Sequence, residues 1–95
     1  LAMNYQELSE QIKQKQIENL DISSINLDGF DFSGCTLKNV IFATDNQQDR
    51  KIKNINFKDS ILDNVLFDGA IIESCNFDQS KHLNSAHLSK VCSSL

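Results

Sequence analysis

Two histidines, three cysteines and thirteen acidic residues are the side chains in this 95-residue sequence that could do chemistry. His82 and His87 stand five apart near the end, and neither lies beside a cysteine or carboxylate at a ligand spacing such as HExxH. They read as solvated end residues. Cys35, Cys75 and Cys92 are odd in number and include no CxxC pair, so neither a disulfide framework nor a zinc site is expected, and reduced thiols in a cytosol are the simplest reading. The aspartates could suggest calcium. The DGFDFSG stretch at 28–34, however, lacks the alternating oxygen ligands and closing glutamate of a calcium loop. No GxSxG, P-loop or dinucleotide fingerprint occurs. No catalytic, cofactor-binding or metal-ligating residue is therefore expected, and the chain reads as a non-enzyme.

Chemistry being absent, the elements carry the argument. A chain of this length is one domain at most and buries only a marginal core. The formal net charge of -4 gives no footprint for phosphate backbones, so direct nucleic-acid binding is not expected. No apolar run approaches the roughly 20 residues of a membrane span, and no signal peptide is visible. A cytoplasmic location follows, or a host cytosol if the protein is secreted as an effector.

An internal period is plain once the chain is written in fives from Leu20: LDISS, INLDG, FDFSG, CTLKN, VIFAT, then after a polar gap INFKD, SILDN, VLFDG, AIIES, CNFDQ. The third letter is always large and apolar: Ile22, Leu27, Phe32, Leu37, Phe42, Phe57, Leu62, Phe67, Ile72, Phe77. The first is small or apolar throughout, and the fifth is Gly, Asn, Ser, Asp, Thr or Gln. Neither the 3.6 period of a helix nor the 2.0 period of a strand keeps this phase, so the backbone must turn once per block. First and third side chains then face inward and the second faces out. Gly29, Gly34, Gly69, Asn39 and Asn64 at the fifth place suit corners that need positive φ.

Blocks of this form resemble the pentapeptide-repeat family over residues 20 to 77 and toward Leu88. The resemblance implies a mainly β fold, a right-handed four-sided β-helix of about three coils with twenty residues in each. On that geometry Leu37, Phe57 and Phe77 would form one internal ladder and Ile22, Phe42 and Leu62 another. Cys35 and Cys75 would stand two coils apart with Ile55 between them, roughly 9–10 Å, too far for a disulfide.

Residues 20–92 are assigned to the β-helix and 1–19 to an N-terminal cap. Within the cap, Asn4 reads as an N-cap, Glu7 as a first-turn acid, and Tyr5, Leu8 and Ile12 as one face of a helix over 4–15. Such a cap covers a strand edge that would otherwise invite aggregation. Residues 43–51 are polar and read as a loop that bulges out, with Ile52 returning inward; a solvated insertion and a partner-recognition loop are both open. After Phe77 the phase slips by one, toward Leu83 and Leu88, so a slipped final coil or a short helix from about Ser80 should end the stack.

The outward second place should be polar, yet Ile41, Ile61, Leu66 and Ile71 occupy it. Ile41 and Ile61 would share a face, with Leu66 and Ile71 continuing a patch. Contiguous outward apolar groups read as a contact surface, although β-branched residues also favour extended backbone for its own sake. The expected function is a non-catalytic protein-interaction scaffold with an unidentified protein partner, monomeric, and the repeat portion of a larger bacterial, effector-like protein. The family resemblance also implies an alternative, a DNA-mimicking binder of topoisomerase (gyrase) of the quinolone-resistance type.

Overall fold

The computed structural model describes residues 5–45, 50–84 and the backbone of 92–94. It is a mainly β solenoid of about three turns, with one helix, α1 (Tyr5–Lys13), before the first turn. The strands are β1 (Gln16–Asp21), β2 (Thr36–Ala43), β3 (Lys51–Lys53), β4 (Ile61–Asp63), β5 (Leu66–Phe67), β6 (Ile71–Glu73), β7 (Lys81–Leu83) and β8 (Cys92–Ser94). All pair in parallel. One sheet runs β1-β2-β4-β7 with β5 also on β2, and the other runs β3-β6-β8.

The five-residue block explains each side of the coil. Third-place residues are buried from Ile22 to Ile72, and Ile17 and Ile52 join them, so the blocks KQIEN (15–19) and RKIKN (50–54) also belong to the repeat. Fifth-place residues supply the corners: Asn19, Asn39, Asn54, Asn64 and Asn84 have φ between 46° and 59°, in the left-handed region that asparagine tolerates best after glycine. Three of these asparagines form a hydrogen-bonded ladder, and a fourth, Asn84, bonds Asp63 beside it. Asn39 Nδ2 donates to Asn19 Oδ1 at 3.0 Å, Asn64 Nδ2 to Asn39 Oδ1 at 2.8 Å, and Asn84 Nδ2 to Asp63 Oδ1 at 3.0 Å.

Second-place chemistry selects between two kinds of corner. Where it is Asp or Asn, as at Asp21, Asn26, Asp31, Asn56 and Asn76, the side-chain oxygen accepts the N–H two residues on. In those blocks the third-place carbonyl accepts the N–H three residues later and closes a β-turn, as Phe32 does from Cys35. Where it is Ile, Thr or Lys, the block extends as strand; fifth-place N–H groups reach the neighbouring coil in both kinds, Asn54 to Glu73 O at 3.1 Å and Gly34 to Lys58 O at 2.9 Å. The β-branched residues Ile41, Ile61 and Ile71 thus sit where backbone is extended.

Register gives twenty residues per coil from β1 to β2, β3 to β6 and β4 to β7, and twenty-five across the gap. Gln16 pairs with Thr36 and Ile61 with Lys81, but Thr36 pairs with Ile61 and Asp31 with Asn56. One whole block, 45–49, is therefore extra, and the excursion is shorter than 43–51 because Ala43 belongs to β2 and Lys51 to β3. The extra block keeps every side chain's inward or outward sense yet moves the following blocks on by one side. The expected ladders are corrected accordingly. Phe32, Phe57 and Phe77 stack on one side, with centroids 5.6 and 4.9 Å apart and planes 9° apart in both pairs. Phe42 stacks on Phe67 at 4.7 Å. The two stacks meet edge-on, Phe57 against Phe42 at 5.6 Å and against Phe67 at 5.9 Å. Leu37 lies between Ile17 and Leu62, and Ile52 on Ile72. Cys35 and Cys75 no longer share a ladder: Cys35 falls over Ser60, and Cys75 beneath Ile55.

Excising Asp45–Asp49 should leave an uninterrupted coil with Thr44 at the corner that Ser24 and Gly69 occupy in the neighbouring coils. The expected result is an unchanged β-rich circular dichroism spectrum and a thermal midpoint within a few degrees of the parent, because loop shortening alone changes closure entropy by less than about 1 kcal/mol.

The ends differ from expectation in two respects. α1 buries Leu8 completely, packs Ile12 on the core and sets the Tyr5 ring edge-on to Phe30 at 5.5 Å, while Gln11 Oε1 accepts the Glu18 N–H of the edge strand. It stops at Lys13, Lys15 at φ 61° reverses the chain, and the first coil starts at Gln16, inside the segment assigned to the cap. The Asn4 cap lies outside the described residues. At the far end no slip follows Phe77, and Ser80 opens a strand rather than a helix: Leu62 pairs with His82, which takes the third place. A one-residue gain comes later, since Ile71 pairs with Cys92, twenty-one on.

Ser60 is the one buried polar residue of the described core, and its Oγ has no partner. Ser60→Ala removes a desolvated hydroxyl without changing shape. It is expected to raise stability by about 1 kcal/mol in urea denaturation.

Candidate interaction surface

The four outward aliphatic residues are half-buried, each beside a fully buried neighbour on its strand. Their grouping differs from the sequence expectation because of the extra block. Ile41 pairs with Leu66, not with Ile61; Ile61 pairs with Thr36 on one side and Lys81 on the other; Ile71 lies between Lys51 and Cys92. The structure brings two of the four, Ile41 and Leu66, into direct register, with Asp21 completing their column.

The sides of the solenoid differ in charge. On the side of β1, the first half of β2 and β4, Glu18 pairs with Lys38 and Lys38 with Asp63. On the β3–β6 side Lys53 pairs with Glu73. Cross-strand pairs of opposite charge each contribute about 0.2–1 kcal/mol. The Ile41–Leu66 side departs from this alternation. Its blocks, 20–24, 40–44 and 65–69, carry Asp21 and Asp68 and no basic residue of their own, and the cation on this side is Arg50, whose guanidinium reaches the carbonyls of Ile22 and Phe42. Its fourth places are Ser23, Ala43 and Asp68, and Ala43 turns into the core where β2 shifts register against β5.

The two carboxylates are held differently. Asp21 Oδ1 accepts both the Ser23 hydroxyl at 2.6 Å and the Ser23 N–H at 3.0 Å, and these bonds lower its pKa below the usual carboxylate range. Asp31, hydrogen-bonded to Ser33 in the same way, is lowered likewise. Asp68, next to Leu66, has a buried Oδ1 with no hydrogen-bond partner.

Arg50 closes the extra block. At an inward first place it turns its guanidinium back to the preceding coil, Nε donating to Phe42 O at 2.9 Å and Nη2 to Ile25 O at 2.8 Å and Ile22 O at 3.1 Å. Burial pulls its pKa down, against the attraction of Asp21. Three carbonyls are met by one side chain, and that of Ile22 also accepts the Ile25 N–H in its turn.

The remaining candidate chemistry is dispersed. Cys35 and Cys75 are free and buried, and burial raises both thiol pKa values. His82 Nε2 lies 2.9 Å from Ser80 Oγ beside the Phe77 ring, with its pKa lowered by desolvation. No carboxylate completes that pair among the described hydrogen bonds. Among the described residues no group of three His, Cys, Asp or Glu could hold a metal ion, and no helix is long and apolar enough to cross a membrane. Arg50 and Asp68 were not singled out from sequence; a cation at an inward place directly after the polar gap was the available signal for the first, and nothing marked the second.

Comparison with protein-family models, curated proteins and solved structures returns no match.

Proposed function

We propose that this chain is a pentapeptide-repeat solenoid that works as a non-catalytic protein-interaction scaffold, the repeat portion of a larger bacterial, effector-like protein. One observation carries the reading: Ile41 and Leu66, both pointing outward, stand in register on a stiff parallel pairing where a solvated side would carry polar groups. Stacked aromatic ladders and corner asparagines hold that surface still, so a partner would bind without a large ordering cost. The chain acts as a monomer in this reading.

Pull-down of partners with the wild-type chain and with Ile41→Asp and Leu66→Asp variants tests it. Loss of a partner from variants that keep the wild-type circular dichroism spectrum is the expected result; retention of every partner removes the patch. The DNA-mimic reading requires a dense acidic face. Mixed ladders such as Glu18–Lys38–Asp63 count against it, and unchanged gyrase supercoiling in the presence of the protein is the result expected here.

A further inference from the structure

We infer that the block 80–84, which carries β7, is a proton-sensitive latch: protonation of His82 releases β7 from β4, and the sheet β1-β2-β4-β7 shortens by one strand. The latch is independent of the scaffold reading and of its outward aliphatic pair.

The geometry starts from one column of third places. Ile17, Leu37 and Leu62 are fully buried and in register, and His82 takes the next step, paired with Leu62. Among the described residues it is the only ionisable side chain at a third place. Its ring centroid lies 6.0 Å from that of Phe77, and its Nε2 is 2.9 Å from the Oγ of Ser80 at the first place of the same block. The residue is otherwise exposed, so water delivers a proton without any prior opening.

No carboxylate is set to hold the cation that would form. On β4, Asp63 is at an outward place and accepts from Asn84 Nδ2 at 3.0 Å. In the block 75–79, Asp78 stands at the outward fourth place, and on β7 itself the charge is Lys81, outward and of the same sign. The Ser80 hydroxyl donates to a neutral ring or accepts from a protonated one, so that bond favours neither form. What remains is the apolar contact with Leu62 and Phe77, which disfavours a charged imidazole. Desolvation accordingly holds the His82 pKa below the usual histidine value. A released β7 therefore binds the proton more readily than a seated one, and seating weakens as pH falls through the histidine range and returns as pH rises.

Two backbone hydrogen bonds report the seat: Lys81 N–H to Ser60 O at 2.9 Å and Asn64 N–H to Leu83 O at 3.1 Å. The Ile61 N–H, bonded to Cys35 O at 2.9 Å, belongs to the coil before and serves as the internal reference.

The test is native-state hydrogen exchange of the full chain between about pH 5 and 8, corrected for intrinsic exchange, with the His82 ring titration followed by NMR. Protection at Lys81 and Asn64 should hold at neutral pH and be lost progressively below about pH 6, while Ile61 keeps its protection. The His82 ring should titrate below the ordinary histidine value. His82→Leu, which completes the aliphatic column, should keep Lys81 and Asn64 protected across the whole range, a gain that a misfolded variant would not show. Protection at these two amides that ignores pH, is absent at neutral pH, or falls together with that of Ile61 overturns the latch. The same acid loss in His82→Leu assigns the effect to another group, such as His87, and overturns it too. The pull-down comparison at neutral pH judges the scaffold reading separately in every case.

Discussion

Replacing Phe57 with alanine is expected to cost about 3–5 kcal/mol, the usual range for emptying a buried phenylalanine site. Phe57 is fully buried, stacks between Phe32 and Phe77, and receives the edges of Phe42 and Phe67 from the opposite stack. Its removal withdraws the middle ring of one aromatic ladder and the edge-on contacts that join it to the other. Neighbouring coils are fixed by strand pairing and cannot close over the void. A single small domain has about 5–15 kcal/mol in hand, so urea denaturation should show a much lower midpoint with little change in slope. Phe77→Ala, at the half-buried end of the same ladder, should cost only about 1–2 kcal/mol.

Arg50→Ala is expected to be the most damaging change outside the aromatic core, at about 2–3 kcal/mol by urea denaturation. The guanidinium meets the carbonyls of Ile22, Ile25 and Phe42 at the point where the extra block leaves the coil. Lysine keeps the charge but lacks the planar fork that reaches three acceptors, so Arg50→Lys should recover less than half of the loss. If Arg50 serves chiefly to seat the extra block, the alanine penalty should shrink when Asp45–Asp49 are also excised, a coupling that a double-mutant cycle reads directly.

The inward and outward phase was legible because it rests on constraints each block states for itself. A third-place Phe57 must be buried, a fifth-place Gly69 or Asn64 can take positive φ, and neither depends on the rest of the chain. The solenoid, its helical lid and the outward placement of Ile41, Ile61, Leu66 and Ile71 follow from those local rules. Ladder partners were not legible. Phe42 and Phe57 are fifteen apart, a spacing that satisfies the five-residue phase whether the intervening residues fill sides of the coil or leave it, and only the register of β2 on β4 and β5 decides. The error carried through to Cys35, which falls over Ser60 rather than Ile55, and to Ile41, which meets Leu66 instead of Ile61. Blocks with an uncharacteristic residue were also missed: KQIEN opens on a lysine, and SKHLN puts His82 where an aliphatic group belongs, although pairing keeps both in step. Asp68 could not be found from sequence because its isolation depends on what the adjacent coil fails to supply.

Nuclear Overhauser contacts between backbone protons of the unmodified chain test the five-residue coil and its single extra block most directly. Parallel neighbours stand about 4.8 Å apart, so their backbone protons give cross-strand peaks. Peaks should link Leu37 with Ile17 and Ile61 with Lys81 at an offset of twenty, but Leu37 with Leu62 and Ile41 with Leu66 at twenty-five. A uniform offset of twenty through the middle of the chain, joining Leu37 to Phe57 and Ile41 to Ile61, would contradict the extra block and with it the grouping of Ile41 and Leu66 on one side.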